Sequence, residues 1–267
     1  MLVVGEKINT SRKEVKEAVE KKDESFIRQL ARRQKEAGAH YIDVNCGTFL
    51  DEEPDLLSWM VQLVQDELDG DPVCIDSPNP KAVKAALKVH QGKAMLNSIS
   101  GEKDRYEGLL SLIKEYGCRT VVLCMDDENG IPSDAETRFK IASYIIEELN
   151  KNGIAQDDIL VDPLIQPISV DAGNGIASAE TIKMVRGKYP DVHAICGLSN
   201  VSYGLPQRKV LNQAYLVVCA SYGLDAVILD PEDTRMMALV YAAEALLNRD
   251  PYCGNYLKAY RKGMLKS

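Results

Sequence analysis

Histidine is scarce in this chain: three residues in 267, His40, His90 and His193. His40 and His193 stand just before apolar runs of strand type and His90 closes a helical one, so none follows a strand. A hydrolase barrel normally brings several histidines to its metal, so that class is excluded and no intrinsic metal is expected. CxxC spacing is absent as well. The seven cysteines, Cys46, Cys74, Cys118, Cys124, Cys196, Cys219 and Cys253, are odd in number and fall mostly in apolar runs such as VVLC and AIC. They read as small buried hydrophobes in a reducing, cytoplasmic setting, without a disulfide framework, an iron–sulfur centre or a thiolate zinc site. No apolar stretch approaches the length of a membrane span, and MLVVGEKI meets Glu6 before any leader-type apolar region develops. The sequence therefore predicts no membrane association and no secretion. The GxGxxG turn of a dinucleotide-binding sheet is missing too, since the first apolar run gives way to GEKIN. Basic residues are outnumbered, 32 against 40, for a net charge of -8, which argues against nucleic acid as a partner.

What the chain does contain is one pattern repeated eight times. Short apolar runs, LVV from Leu2, YIDV from Tyr41, VCI from Val73, AML from Ala94, TVVLCM from Thr120, ILV from Ile159, HAIC from His193 and AVIL from Ala226, alternate with amphipathic helical segments. Runs this short and continuous suit parallel strands covered on both faces. Helix boundaries are marked by Ser11 with Glu14 and Ser133 with Glu136 in capping-box spacing, by Asn79-Pro80 as a cap and first turn, and by stops at Gly38 and Gly117. Eight such units predict an α/β protein, a (β/α)8 TIM barrel, in one domain spanning residues 1–267.

In a barrel the active site is built from the loops that follow the strands. Here those loops contribute a carboxylate or an amide at nearly every turn: Glu6 and Asn9, Asp43 and Asn45, Asp76 and Asn79, Asn97 and Ser98, Asp126 and Asp127, Asp162, Ser199 and Asn200, and Asp230. A sugar phosphate would meet repulsion there, whereas a neutral fused nitrogen heterocycle would not. Its amino group and ring N–H can donate two parallel bonds to a carboxylate, and an amide side chain can serve an adjacent donor and acceptor. Asn79, Asn129 and Asn174 read as turn or cap residues, while Asp76, Asn97, Asp162 and Asn200 read as functional.

The strings VGEKIN, DVNCG, CIDSPN, MLNSIS, MDDENGIP, VDPLI and GLSNVS, one after each of the first seven strands, resemble the pterin-binding barrel family. Within it they are similar to the methyltetrahydrofolate:corrinoid-protein methyltransferases, over residues 1 to about 260. The resemblance implies that Asp76, Asn97 and Asp162 hold the pterin ring and that Asn200 approaches N5, which carries the methyl group. It implies tetrahydrofolate or 5-methyltetrahydrofolate as substrate, transfer in either direction, and a cobalt corrinoid carried by a partner protein. A homodimer is implied as well. Gly197 is expected to let the chain leave strand seven, Ser199 to bond locally, and Asp126 to lie near the pterin. Two strings depart from the acetogenic members: MDDENG stands for MNxxG, and DSPN for DSTN, pointing to a divergent corrinoid partner or pathway. The alternatives are a dihydropteroate synthase-like enzyme, for which Arg208 and Lys209 offer a basic pair, and a folate-binding scaffold without turnover.

Overall fold

Side chains alternate across a strand, so a strand buried on both faces needs apolar residues on each. In the computed structural model, which describes residues 1–265, eight parallel strands meet that condition. They are β1 (Leu2–Asn9), β2 (Tyr41–Asn45), β3 (Cys74–Asp76), β4 (Met95–Gly101), β5 (Arg119–Asp126), β6 (Ile159–Asp162), β7 (His193–Ala194) and β8 (Ala226–Leu229). Positions 266 and 267 of the predicted domain lie outside the described residues. The strands pair in the order β7-β6-β5-β4-β3-β2-β1-β8. A parallel bridge between Gly197 and Ile228, with Ile228 N–H donating to the Cys196 carbonyl at 2.9 Å, brings the two ends together. The barrel is thus nearly closed.

Among the described residues ten helices connect and cover the strands: α1 (Lys13–Glu20), α2 (Glu24–Glu36), α3 (Glu53–Glu67), α4 (Pro80–Val89), α5 (Lys103–Tyr116), α6 (Ala135–Lys151), α7 (Asn174–Lys188), α8 (Arg208–Ser221), α9 (Thr234–Leu246) and α10 (Gly254–Arg261). Outward strand residues such as Ile42, Ile75, Leu96 and Val122 pack on the helices. Inward residues Val4, Cys74, Met95, Val121, Leu160, Ile195 and Ala226 fill the lumen as a separate apolar layer. None of them is more than 1% exposed, so the lower barrel is a solid floor.

The helix starts differ in part from the expected caps. Asn79 does cap α4, its Oδ1 accepting from Lys81 N–H at 3.0 Å while its Nδ2 donates to Glu53 at 3.0 Å. Removing this side chain breaks the cap and deprives a buried carboxylate of a donor. Asn79→Ala is therefore expected to cost about 1 to 2 kcal/mol in urea unfolding, and a loss near zero would show the cap to be idle. The two capping boxes do not form. Arg12 occupies the cap position of α1 with no side-chain bond, and Ser11 N–H donates instead to Asn9 Oδ1 at 2.9 Å. At α6 the cap is Asp134, which accepts from Thr137 N–H at 2.8 Å; Ser133 lies one residue too early, and the carboxylate beside it is the stronger acceptor. Gly117 ends α5 in the left-handed region, φ 62°, as its residue type allows.

Candidate active site

The alternation that builds the floor also builds what lies above it. Cys74 points inward, so Asp76 does; Met95 points inward, so Asn97 does; Leu160 points inward, so Asp162 does. On β2, Asp43 is level with Cys74, and Asn45 lies on the same face two residues on. Strand pairing sets Asp76 directly beside Asn97. A polar ring of Asp43, Asn45, Asp76, Asn97 and Asp162 therefore caps the apolar lumen at the C-terminal end of the strands.

The hydrogen bonds within the ring leave a definite remainder. Asn45 is fully used: its Nδ2 donates to Asp76 Oδ2 at 3.0 Å and its Oδ1 accepts from Gly47 N–H at 3.1 Å. Asn97 Nδ2 donates to Asp43 Oδ1 at 3.3 Å, which turns the Asn97 carbonyl oxygen away from that carboxyl. Asp162 Oδ1 accepts from Leu164 N–H at 2.8 Å. Asp76 Oδ1, Asn97 Oδ1 and Asp162 Oδ2 accept from no protein N–H or alcohol hydroxyl among the described residues. Three inward oxygens of one polarity converge, suited to a ligand edge rich in N–H groups. Burial pushes the Asp76 and Asp162 carboxyls up to about 6, against the Asn45 bond for the first and the Leu164 bond for the second. Both are still mostly ionised at neutral pH and ready to accept.

The loop after β7 supplies the opposite polarity. Residues Leu198–Ser202 form a 3₁₀ turn on which Asn200 is exposed, its side-chain amide free of hydrogen bonds within the described residues. The turn is held from α8: Arg208 Nη2 donates to the Ser199 carbonyl at 2.7 Å and its Nε to Ser202 Oγ at 3.1 Å. It is thus the Ser199 carbonyl, and not its hydroxyl, that makes the local bonds; Ser202 Oγ also donates to it at 3.3 Å. Gly197 has an ordinary backbone, φ -81° and ψ 107°, so it is not needed for a special turn. Instead, a Cβ built there would meet nothing within 4 Å. By alternation it points inward above Ile195, and its missing side chain leaves room over the floor.

Asp126 does not join the ring. It falls on the outward phase of β5, and its carboxylate accepts from Asn129 N–H at 2.7 Å and from Asn129 Nδ2 at 3.0 Å, closing its own turn. Its Cβ position abuts Gly101 of β4, away from the lumen. Conversely, the ring takes in Asp43 and Asn45, which stand among the polar residues behind the strands but were not read as functional; Arg208 figured only as half of a basic pair, and Arg105 not at all. For Asp43 and Asn45 the signal was present in the period of two along YIDVN; Arg105, which bonds Ser98 through its carbonyl at 2.9 Å and its hydroxyl at 2.8 Å, had none, because helix α5 brings it there.

The opposite end of the barrel holds a cavity of about 410 Å³ near His40, Met237 and Lys258. Of its charged groups the N-terminal amine and Arg249 pair with Glu244, and Asp250 accepts from Asn255 and Tyr256 N–H, while Lys258 and Lys262 also line it. In this fold the chemistry belongs to the loops that follow the strands, at the other face. The three histidines also bond at this lower end, His40 accepting from Val3 N–H, His90 from Val73 N–H, and His193 pairing with Asp225.

Comparison with known proteins agrees with this geometry. Residues 5–230 match the family model described as pterin binding enzyme. The chain is 37% identical to a methylcorrinoid:tetrahydrofolate methyltransferase of Eubacterium limosum, over 99% of this chain and 98% of the relative. It is 29% identical to a methionine synthase of Mycobacterium tuberculosis over 90% of this chain, which spans only 22% of that longer protein. Among solved structures it resembles the dihydropteroate synthase of Xanthomonas albilineans with 4-aminobenzoic acid, at a TM-score of 0.69 and 18% identity, covering 92% of each chain. A Thermus thermophilus dihydropteroate synthase matches with a TM-score of 0.67 and 20% identity, covering 91% of this chain and 93% of the other. The chain belongs to the pterin-binding enzyme family, in the branch that includes the methylcorrinoid:tetrahydrofolate methyltransferase.

Proposed function

We propose that this protein is a methyltransferase that moves a methyl group between N5 of tetrahydrofolate and the cobalt of a corrinoid carried by a separate protein. The observation that carries the reading is the trio of unpaired acceptors, Asp76 Oδ1, Asn97 Oδ1 and Asp162 Oδ2, facing the mouth of a barrel of this family. The 2-amino group and ring N–H of a pterin supply the matching donors. Asn200, the free amide on the loop after β7, faces N5. The corrinoid is a second substrate. In the sense named for the Eubacterium limosum relative, the N5 lone pair attacks the methyl carbon, the cobalt–carbon bond breaks with its electron pair staying on cobalt(I), and N5 sheds its proton. In the reverse sense cobalt(I) attacks the methyl group, and N5 must receive a proton or a strong hydrogen bond as it leaves. An interaction at N5 that strengthens along this path lowers the barrier in both directions.

A dihydropteroate synthase reading lacks its basic pair. Arg208 is spent on the Ser199 carbonyl and Ser202, and Lys209 lies 3.7 Å from Asp233. Incubation with methylcobalamin and tetrahydrofolate should yield 5-methyltetrahydrofolate. Product instead from 4-aminobenzoate and a pterin diphosphate would reverse the choice.

Because Arg208 holds the carbonyl next to Asn200, Arg208→Gln should lower the rate at saturating folate by about 10-fold with a smaller change in affinity, the cost of one charge-assisted bond. An equal loss in both would make Arg208 a plain binding group. We also place the protein in the cytoplasm, a reading supported by seven unpaired cysteines of which six are buried. No helix among the described residues is long and apolar enough to cross a membrane. Exposed Ile176 on α7 and Val210, Val217 and Val218 on α8 support a homodimer through these helices, which light scattering at micromolar concentration would test.

A further inference from the structure

Asp43 is the most enclosed acid of the polar ring, 3% exposed, and it is not aimed at the mouth. Its carboxyl touches three neighbours. Asn97 Nδ2 donates to its Oδ1 at 3.3 Å, Cys74 lies level with it on the adjacent strand, and Asp76 adjoins it on the same inward face, beside Asn97. Among the described residues no Lys or Arg forms an ion pair with Asp43 or Asp76. Arg105, on α5, acts on Asp76 only through space and is committed to Ser98 and, at 3.8 Å, to Glu102. Glu53, on α3, adds a further negative charge on the Asp76 side and is itself bonded to Ser77 and Asn79. Two adjoining buried carboxyls without a cation cannot both ionise, so one proton must be shared between them.

We propose that Asp43 is a positioning residue that keeps this proton, donates it to Asp76, and orients the Asn97 amide so that its carbonyl oxygen faces the ligand. The inference rests on the pterin reading of the site and deepens it. Asn45 already donates to Asp76, favouring the ionised form there, whereas Asp43 is deeper and raised well above the ordinary carboxylate range by burial and by the Asp76 charge. A protonated Asp43 uses one oxygen to receive the Asn97 N–H and its O–H to bond Asp76. Asp76 then stays an acceptor for the amino and ring N–H groups of the ligand, and Asn97 is locked with its acceptor outward. The pair carries one negative charge, which a neutral ligand edge with two N–H donors can satisfy.

The proton is visible without any ligand. Infrared difference spectra of the free protein at neutral pH, wild type minus Asp43→Asn, should contain the C=O stretching band of a protonated carboxylic acid. Asp43→Asn preserves both bonds, its carbonyl receiving Asn97 and its NH2 donating to Asp76. It should therefore restore most of the tetrahydrofolate affinity that Asp43→Ala loses, a loss of roughly 10-fold for one net buried hydrogen bond. Wild-type affinity should fall once the pH is raised far enough to ionise Asp43, and the Asn variant should show no such fall. The proposal is overturned if the acid band is missing from the wild type, or if Asp43→Asn binds as poorly as Asp43→Ala. Should Asp43→Ala not fold, the infrared band and the alkaline limb of Asp43→Asn still decide it. A wild type that shows the band but binds no tetrahydrofolate overturns the pterin reading and not the shared proton.

Discussion

Replacing Asn200 by alanine is expected to slow methyl transfer at saturating folate by about 100-fold to 1000-fold, while the binding constant changes much less. The lost group is a hydrogen-bond donor aimed at the atom where charge changes, an effect of about 3 to 4 kcal/mol in comparable sites. The fold should survive, because Asn200 is exposed and its amide makes no bond to the protein among the described residues. Its turn is held by its neighbours, through Arg208 and Ser202. Single-turnover transfer, paired with a separate binding constant, separates the two roles. A wild-type rate at saturation would reduce Asn200 to a turn residue.

Asp76→Ala and Asp162→Ala are each expected to weaken tetrahydrofolate binding by about 1.5 to 3 kcal/mol, since each removes a charged acceptor and strands a ligand N–H. The pH dependence should distinguish this account from a general loss of fit. Both carboxyls are pushed from an ordinary value of 3.8 up to about 6 by burial. A raised carboxyl contributes stability that is fully present below the unfolded value and is lost as pH rises through about 6. The free protein should therefore gain stability as pH falls from about 6 towards 4 on account of these groups. Folate binding needs the ionised form and should weaken over the same window. Calorimetry with thermal unfolding should give these opposite slopes, and in the double alanine variant both should flatten. Affinity that stays level through this window would remove the carboxylates from the binding edge.

The eight strands were legible because each is a short apolar run with turn residues behind it, and a parallel strand buried on both faces needs just that. The strand lengths were less so. β1 and β4 extend several residues beyond their apolar stretches, to Asn9 and Gly101, because ladder bonds at the mouth are made by polar residues that carry no hydrophobic signal. Asp76, Asn97 and Asp162 do meet at one end of the barrel, and the reason is phase: each stands two residues after an inward apolar residue. Asp126 follows its strand just as closely, yet it sits on the other phase and closes a turn with Asn129. Proximity to a strand end was therefore a weaker guide than parity along the strand. The same parity would have set Asp43 and Asn45 apart from the other polar residues behind the strands. The roles of Arg105 and Arg208 were out of reach of such reasoning, because they act from helices whose placement over the mouth depends on the closed barrel.

The most direct test of the account is to mix the protein with 5-methyltetrahydrofolate and cobalt(I) cobalamin and follow the cobalt(I) absorption band. The account predicts that the band disappears in the presence of wild-type protein, orders of magnitude more slowly with Asn200→Ala, and that methylcobalamin and tetrahydrofolate accumulate in equal amounts. A band that persists with folded, folate-binding wild-type protein, with both free cobalamin and a corrinoid protein as acceptor, would contradict it.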